Sequence, residues 1–360
     1  MVNHVRKSRL TALLLLACVS STAFAEPGFK DPLDFPARIV SGVVARPLMA
    51  VASAGARLVA VGSRGLVIVS LDRGKTWTQS KVPVQSDLLA VHFPTATTGW
   101  VVGHDGVILR SDDGGDSWVK QLDGRSAADA FRKYYEMRLA DGDATAKQAL
   151  LQVTQNFKAG SALPYLDVWF EDTRTGYAVG SYGMLITTAD GGKTWTPWLD
   201  RIESDQLNLN SVRGTGGDVL IAGEQGRVYR LDRDKGRFVT AATGYGGSFF
   251  GLAANSTTVL AFGLRGVAYR SDDKGLSWEE VKMPSEATVS AGAVSPDDAS
   301  FLLVNGAGQI LVGSPDARRF KIVQPQRHMR LTGMFPLSKN EVVITGLGGV
   351  TTERLSPSVN

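Results

Sequence analysis

Cysteine is nearly missing from this chain: its 360 residues contain one, Cys18. A disulfide or a Cys-ligated metal needs more than one thiol, so neither is expected. Histidine is also scarce. Beyond the first 25 residues there are three, His92, His104 and His328, too scattered to form a metal site. No Gly-x-Ser-x-Gly elbow, His-Glu-x-x-His helix or P-loop occurs, so no catalytic residue, metal or cofactor is expected. No basic run with interleaved aromatics appears, which argues against nucleic acid as a partner.

Long apolar runs are absent too, apart from Leu10 to Ala17. That stretch is shorter than the ~20 residues a bilayer span requires. Arg6, Lys7 and Arg9 precede it, and Ala23-Phe24-Ala25 supplies a small-x-small cleavage pattern. Residues 1–25 therefore read as a signal peptide, with a soluble mature chain starting at Glu26 and exported to a periplasm or lumen. Leu15-Leu16-Ala17-Cys18 also fits a lipobox, which leaves a lipid anchor on Cys18 as the alternative. The chain holds 39 Lys+Arg and 35 Asp+Glu, and three of those bases precede Glu26. The mature charge is then near +1, and the high pI belongs largely to the precursor.

One unit recurs along the rest. Val61-Gly62-Ser63-Arg64-Gly65 leads to Ser70-Leu71-Asp72-Arg73-Gly74-Lys75-Thr76-Trp77. The same pattern returns around Gly103-His104-Asp105-Gly106 with Asp113 and Trp118. It returns again around Gly180-Ser181-Tyr182-Gly183 with Asp190 and Trp195, and around Gly263-Leu264-Arg265-Gly266 with Asp273 and Trp278. Worn copies surround Gly223-Glu224-Gln225-Gly226, Gly306-Ala307-Gly308 and Gly346-Leu347-Gly348-Gly349. The second glycine falls at positions 65, 106, 183, 226, 266, 308 and 349, a period near 41 with one step of 77. Seven such copies predict an all-β fold, a seven-bladed β-propeller of four-stranded blades over residues 26–360.

Within a copy, Leu88–Phe93 reads as strand A, Gly99–Val102 as B, Val107–Arg110 as C and Ser117–Leu122 as D. The two glycines of the B–C turn are expected to supply positive φ. The Asp box becomes the C–D hairpin, with its Asp accepting loop N–H groups and its Trp covering the blade edge. A residue repeated in four blades cannot converge on one site, so the boxes are read as structural. The last copy supplies only A, B and C, and Ala37 to Ala45 is expected to provide its missing D strand.

The long step holds an insertion at about 124–160, between blades 2 and 3. Ser126 reads as an N-cap with Asp129 at the third helical position. Phe131, Tyr134, Tyr135 and Leu139 follow at helical spacing, then Leu150, Val153 and Phe157 after Gly142-Asp143. This hairpin is expected on the face of the B–C turns, as packing or as a docking element. That face carries the candidate partner-binding residues Arg64, His104, Asp105, Tyr182, Glu224 and Arg265. His104-Asp105 is read as two exposed residues rather than a dyad.

The repeat resembles the Asp-box (bacterial neuraminidase repeat) superfamily, and within it the photosystem II stability/assembly factor family. The likeness rests on Leu166 to Asp172, Gly176 to Gly180 and the box ending at Trp195, with 87–118 and 246–278 matching the same pattern. It implies an exported, non-enzymatic scaffold that binds and helps assemble an envelope or membrane protein complex through a basic surface. Arg64 and Arg265 fit that pattern; His104-Asp105 and Glu224-Gln225 depart from it. A carbohydrate- or peptide-binding propeller is the alternative. A sialidase-like hydrolase is a third reading, resting on Phe35-Pro36-Ala37-Arg38-Ile39-Val40. The Pro those enzymes carry after the Ile is absent, and they have six blades.

Overall fold

In the computed structural model, which describes residues 31–355, seven antiparallel sheets are arranged in chain order. Six have four strands and the last has three, which gives the seven-bladed propeller. The A strands are Leu48–Ala54, Leu88–His92, Tyr165–Phe170, Leu209–Thr215, Phe249–Ala254, Val289–Val294 and Leu331–Ser338. Residues from all seven line a narrow central channel, so the A strands form the inner wall. The B strands are the apolar heart of the blades. Gly99–Gly103, Gly176–Gly180, Val259–Gly263 and Phe301–Asn305 are buried at every position. A strand flanked within its sheet and covered by blades on both faces loses the alternating pattern, and these do. The described residues, 31–355, form a compact unit of their own. The expected signal segment and Cys18 lie outside the described residues.

Blade 2 closely follows its sequence reading, with strands Leu88–His92, Gly99–Gly103, Ile108–Ser111 and Val119–Leu122. Its Asp box is a side-chain cage. Asp113 Oδ1 accepts the Ser111 hydroxyl at 2.8 Å and the Ser117 N–H at 3.0 Å, and Oδ2 accepts the Ser117 hydroxyl at 2.5 Å. Ser111 Oγ in turn accepts the Gly115 N–H, and the Trp118 indole donates to the Gly115 carbonyl at 3.1 Å. Asp72, Asp190 and Asp273 repeat the arrangement with Ser70 and Thr76, Thr188 and Thr194, and Ser271 and Ser277. Trp77 and Trp278 repeat the indole bond, whereas the buried Trp195 indole N–H has no partner.

Two expectations are corrected. The segment Ala37 to Ala45 is not a strand; its only regular element is a 3-10 turn, Val43–Ala45, beside the start of the last strand, Gly349–Arg354. Gly42 and the turn leave no extended stretch to pair, and the earlier part of the segment bonds to blade 1 instead. Blades 1 and 7 close the ring by packing Leu48, Val51 and Leu58 against Val343 and Val350. The Thr332 hydroxyl also donates to the Leu48 carbonyl at 2.6 Å, and Arg73 pairs with Glu341 at 3.0 Å. The helical hairpin is α1 (Gly124–Ala140) and α2 (Ala146–Asn156), between blades 2 and 3 as expected. The N-cap of α1 is Asp123, not Ser126: its carboxylate accepts the Arg125 and Ser126 N–H groups, and Ser126 completes a capping box. A carboxylate cap outcompetes a hydroxyl at a positive helix terminus.

Candidate partner-binding face

The B–C tips owe their shape to two glycines used differently from expectation. The first glycine is extended, with φ of −168° at Gly62 and −174° at Gly103. It is required because a Cβ on Gly62 would stand 2.2 Å from the Pro47 carbonyl oxygen. The left-handed positions are the second glycine and the residue before it. Arg64, Asp105, Tyr182, Gln225 and Arg265 have φ of 58°, 59°, 54°, 55° and 56°. For an ordinary L-residue this conformation costs roughly 1–2 kcal/mol. Four tips accept that cost on Arg, Tyr, Gln and Arg.

What holds them is a set of bonds from the neighbouring blade. The residue before a strand A accepts its own blade's tip N–H on its carbonyl, and the preceding blade's tip N–H on its side chain. Asp87 takes His104 N–H on its carbonyl at 2.9 Å and Arg64 N–H on its carboxylate at 2.7 Å. Asn208 takes Glu224 N–H at 3.2 Å and, on Oδ1, Tyr182 N–H at 3.0 Å. Thr288 takes Gly306 N–H at 2.9 Å and, on Oγ1, Arg265 N–H at 3.3 Å. Blades 1 and 2, 3 and 4, and 5 and 6 are thus coupled at their tips. The sequence reading missed these three residues, although each is a polar side chain directly before an A strand.

The six candidate residues do not stand alike. Arg64, His104, Tyr182 and Arg265 are exposed, Tyr182 to 54%. Asp105 is half-buried and accepts the Ser86 hydroxyl at 2.6 Å. Glu224 accepts the Asn208 N–H and amide at 2.9 and 3.2 Å, so its carboxylate supports its own turn. No hydrogen bond joins His104 to Asp105 among the described residues.

The hairpin lies on the same face. Gln152 and Asn156 of α2 donate to the Tyr182 carbonyl at 2.9 and 3.2 Å, fixing blade 3's tip from above. From α1, Phe131 and Tyr135 enter the core that holds Trp100, Phe170 and Trp195. The Tyr135 hydroxyl accepts the Leu199 N–H at 3.0 Å and donates to Asp200 at 2.9 Å. Burial and the nearby Asp200 charge push this phenol far above its ordinary pKa. Arg138 pairs with Asp200 at 2.8 Å.

Below the face, the channel wall carries Asp167, which accepts the Ser211 hydroxyl at 2.9 Å and pairs with Arg213 at 3.1 Å. His92 accepts the Phe170 N–H on Nδ1 at 3.1 Å. Burial, with the Arg213 charge, pulls its pKa down to about 3, so the imidazole is neutral and serves as an acceptor. Among the described residues no cluster of three or more His, Cys, Asp or Glu side chains has metal-binding geometry.

Fold and site together define an Asp-box propeller whose tips present cationic and aromatic side chains on one rigid face. The family model described as Photosynthesis system II assembly factor YCF48 matches residues 69–156 and 146–278, more than half of the chain. The chain belongs to that family. A photosystem II assembly protein Ycf48 of Synechococcus sp. (strain JA-2-3B'a(2-13)) is 30% identical over 168 residues, 43% of this chain and 49% of that protein. The match therefore spans about half the length of that relative. A second, from Synechococcus sp. (strain JA-3-3Ab), is 27% identical over 266 residues, 67% of this chain and 76% of the relative. A solved structure described as YCF48 bound to D1 peptide superposes with a TM-score of 0.61 at 15% identity, covering 89% of this chain and 99% of that one. At that identity it supports the propeller fold alone.

Proposed function

We propose that this protein is an exported, non-enzymatic scaffold that binds and helps assemble or stabilise a membrane or envelope protein complex. Binding is through the face of the B–C tips. Arg64, Arg265, Tyr182 and His104 make the contacts, while Asp105 and Glu224 hold their turns. The observation that carries this reading is the left-handed backbone of Arg64, Tyr182 and Arg265, each held by a side chain from the next blade. Strain retained at exposed tips and fixed from outside is the pattern of a presented binding surface. A backbone so held fixes the point from which each side chain leaves the face, and an arginine there offers its planar fork to a carboxylate. Family membership supports the assembly role, and a relative of the same fold is bound to a D1 peptide.

The test is affinity purification of the tagged protein from its own envelope, with mass spectrometry of what is retained. A parallel strain carries Arg64→Glu and Arg265→Glu. One membrane complex retained by the parent and lost from the variant is the expected result. Retention unchanged by the double variant contradicts the assignment of the face.

A further inference from the structure

Blade 1 carries a cavity of 410 Å³ that the coupling of the tips does not explain. Arg38, Arg46 and Arg64 stand around it with Ser63, Gln79 and Gln85, and no acidic residue lines it. Just over half of the described arginines are ion-paired, as Arg57, Arg73 and Arg110 are with Asp116, Glu341 and Asp112. Among the described residues these three are not; the nearest bond of the Arg46 guanidinium is to the Ser41 carbonyl at 3.4 Å. A concave site that brings three arginines without ion-pair partners together beside Val40, Pro47 and Leu66 suits an anion with several oxygens on an apolar body.

The outer wall of the cavity is a strap, residues 37–46, that contains no acid. Its backbone is pinned to blade 1. Ala37 N–H donates to the Val82 carbonyl at 2.9 Å, and the Gln79 amide donates to the Arg38 carbonyl at 2.9 Å and accepts the Val40 N–H at 3.0 Å. Two aliphatic side chains of the strap face outward, Ile39 at 73% exposed and Val44 at 40%, while Val40 lines the cavity and Val43 packs on the core of blades 1 and 7. Branched aliphatics held out between arginines are unfavourable in water and favourable at the headgroup boundary of a bilayer. The protruding pair, Ile39 and Val44, suits a fluid partner that deforms around it.

We propose that the strap and the cavity behind it dock the protein on an anionic lipid surface, with a lipid phosphate in the arginine-lined cavity and Ile39 and Val44 in the acyl boundary. The proposal goes beyond the client-binding face: the cavity shares Arg64 with that face, but Arg38, Ile39, Val44 and Arg46 belong to no B–C tip, and only these are changed in its test.

Because residues 31–355 form a compact unit, the chain from Glu26 is a suitable test protein. Ile39→Cys carries an environment-sensitive fluorophore on the strap, since the chain from Glu26 has no other cysteine. Vesicles of phosphatidylcholine with phosphatidylglycerol should shift its emission to the blue, and the shift should reverse in high salt. Vesicles of phosphatidylcholine alone should give none. In a flotation assay, Arg38→Gln with Arg46→Gln should weaken binding about 25-fold, since each basic residue near such a surface contributes roughly fivefold. Thermal melting of each variant shows that it is folded. Client retention should survive these changes, which separates this proposal from the one above. No shift with anionic vesicles overturns the proposal. So does a shift given instead by inorganic phosphate or an acidic peptide, which would mark a small-anion or peptide site.

Discussion

The Asp87 carboxylate accepts the Arg64 N–H at 2.7 Å while its carbonyl accepts the His104 N–H, so one residue sets the tips of two adjacent blades. Asn208 and Thr288 repeat the device. Because an amide oxygen does the same work at Asn208, Asp87→Asn should be nearly neutral. Asp87→Ala should destabilise by about 1–2 kcal/mol, the cost of orphaning a hydrogen-bonded amide. Denaturant melts measure the loss, and hydrogen exchange at the Arg64 amide should speed up in the alanine variant only.

Arg64 is held at φ 58°, so Arg64→Gly should relieve strain. The expected outcome is stability unchanged or raised by up to about 1 kcal/mol, glycine's greater unfolded-state freedom offsetting part of the relief. Client retention should fall at the same time. A glycine variant that keeps full retention would remove Arg64 from the binding surface.

Tyr135 joins α1 to blade 3 through Leu199 and Asp200. Tyr135→Phe leaves the ring in place and strips both partners of their bond, at a cost of about 1–3 kcal/mol. The loss should be local. Limited proteolysis should cut between residues 124 and 160 sooner than in the parent, while the blades resist.

The pH dependence divides into two windows. The His92 pKa lies near 3 in the folded protein, below its usual 6.5, so the unfolded chain takes up the proton first. Its contribution to stability is whole above pH 6.5 and declines as pH falls towards 3, at up to about 1.4 kcal/mol per pH unit. His92→Phe should flatten that slope between pH 6 and pH 4, at a lower overall stability. Asp72, with its pKa held down to about 2 chiefly by the Thr76 hydroxyl, contributes above pH 4 and loses its contribution as pH falls to 2. Stability curves of parent and variant from pH 7 to pH 2 test both.

The repeat was legible because its determinants are local. An Asp box satisfies Asp113 within six residues, and a Gly-x-x-Gly turn is set by glycines three apart, so blades, insertion and exposed tips could all be read in order. The errors have the opposite origin. Asp87 matters because a neighbouring blade brings the Arg64 N–H to it, across 23 residues of chain. The D-strand expectation for Ala37 to Ala45 followed from ring closure, but Gln79 and Val82 capture the segment's backbone first. The roles of Asp105 and Glu224 were invisible for the same reason: an exposed turn position does not reveal that Ser86 or Asn208 has already taken the carboxylate.

The central claim is that the B–C face, not the Asp-box face, meets the client. Photocrosslinking amino acids placed at Tyr182 and at Leu276, an exposed Asp-box residue on the opposite face, compare the two in the native envelope. Crosslinks from position 182 to one component of a membrane complex, with none from position 276, are what the account predicts. Crosslinks from position 276 alone would contradict it.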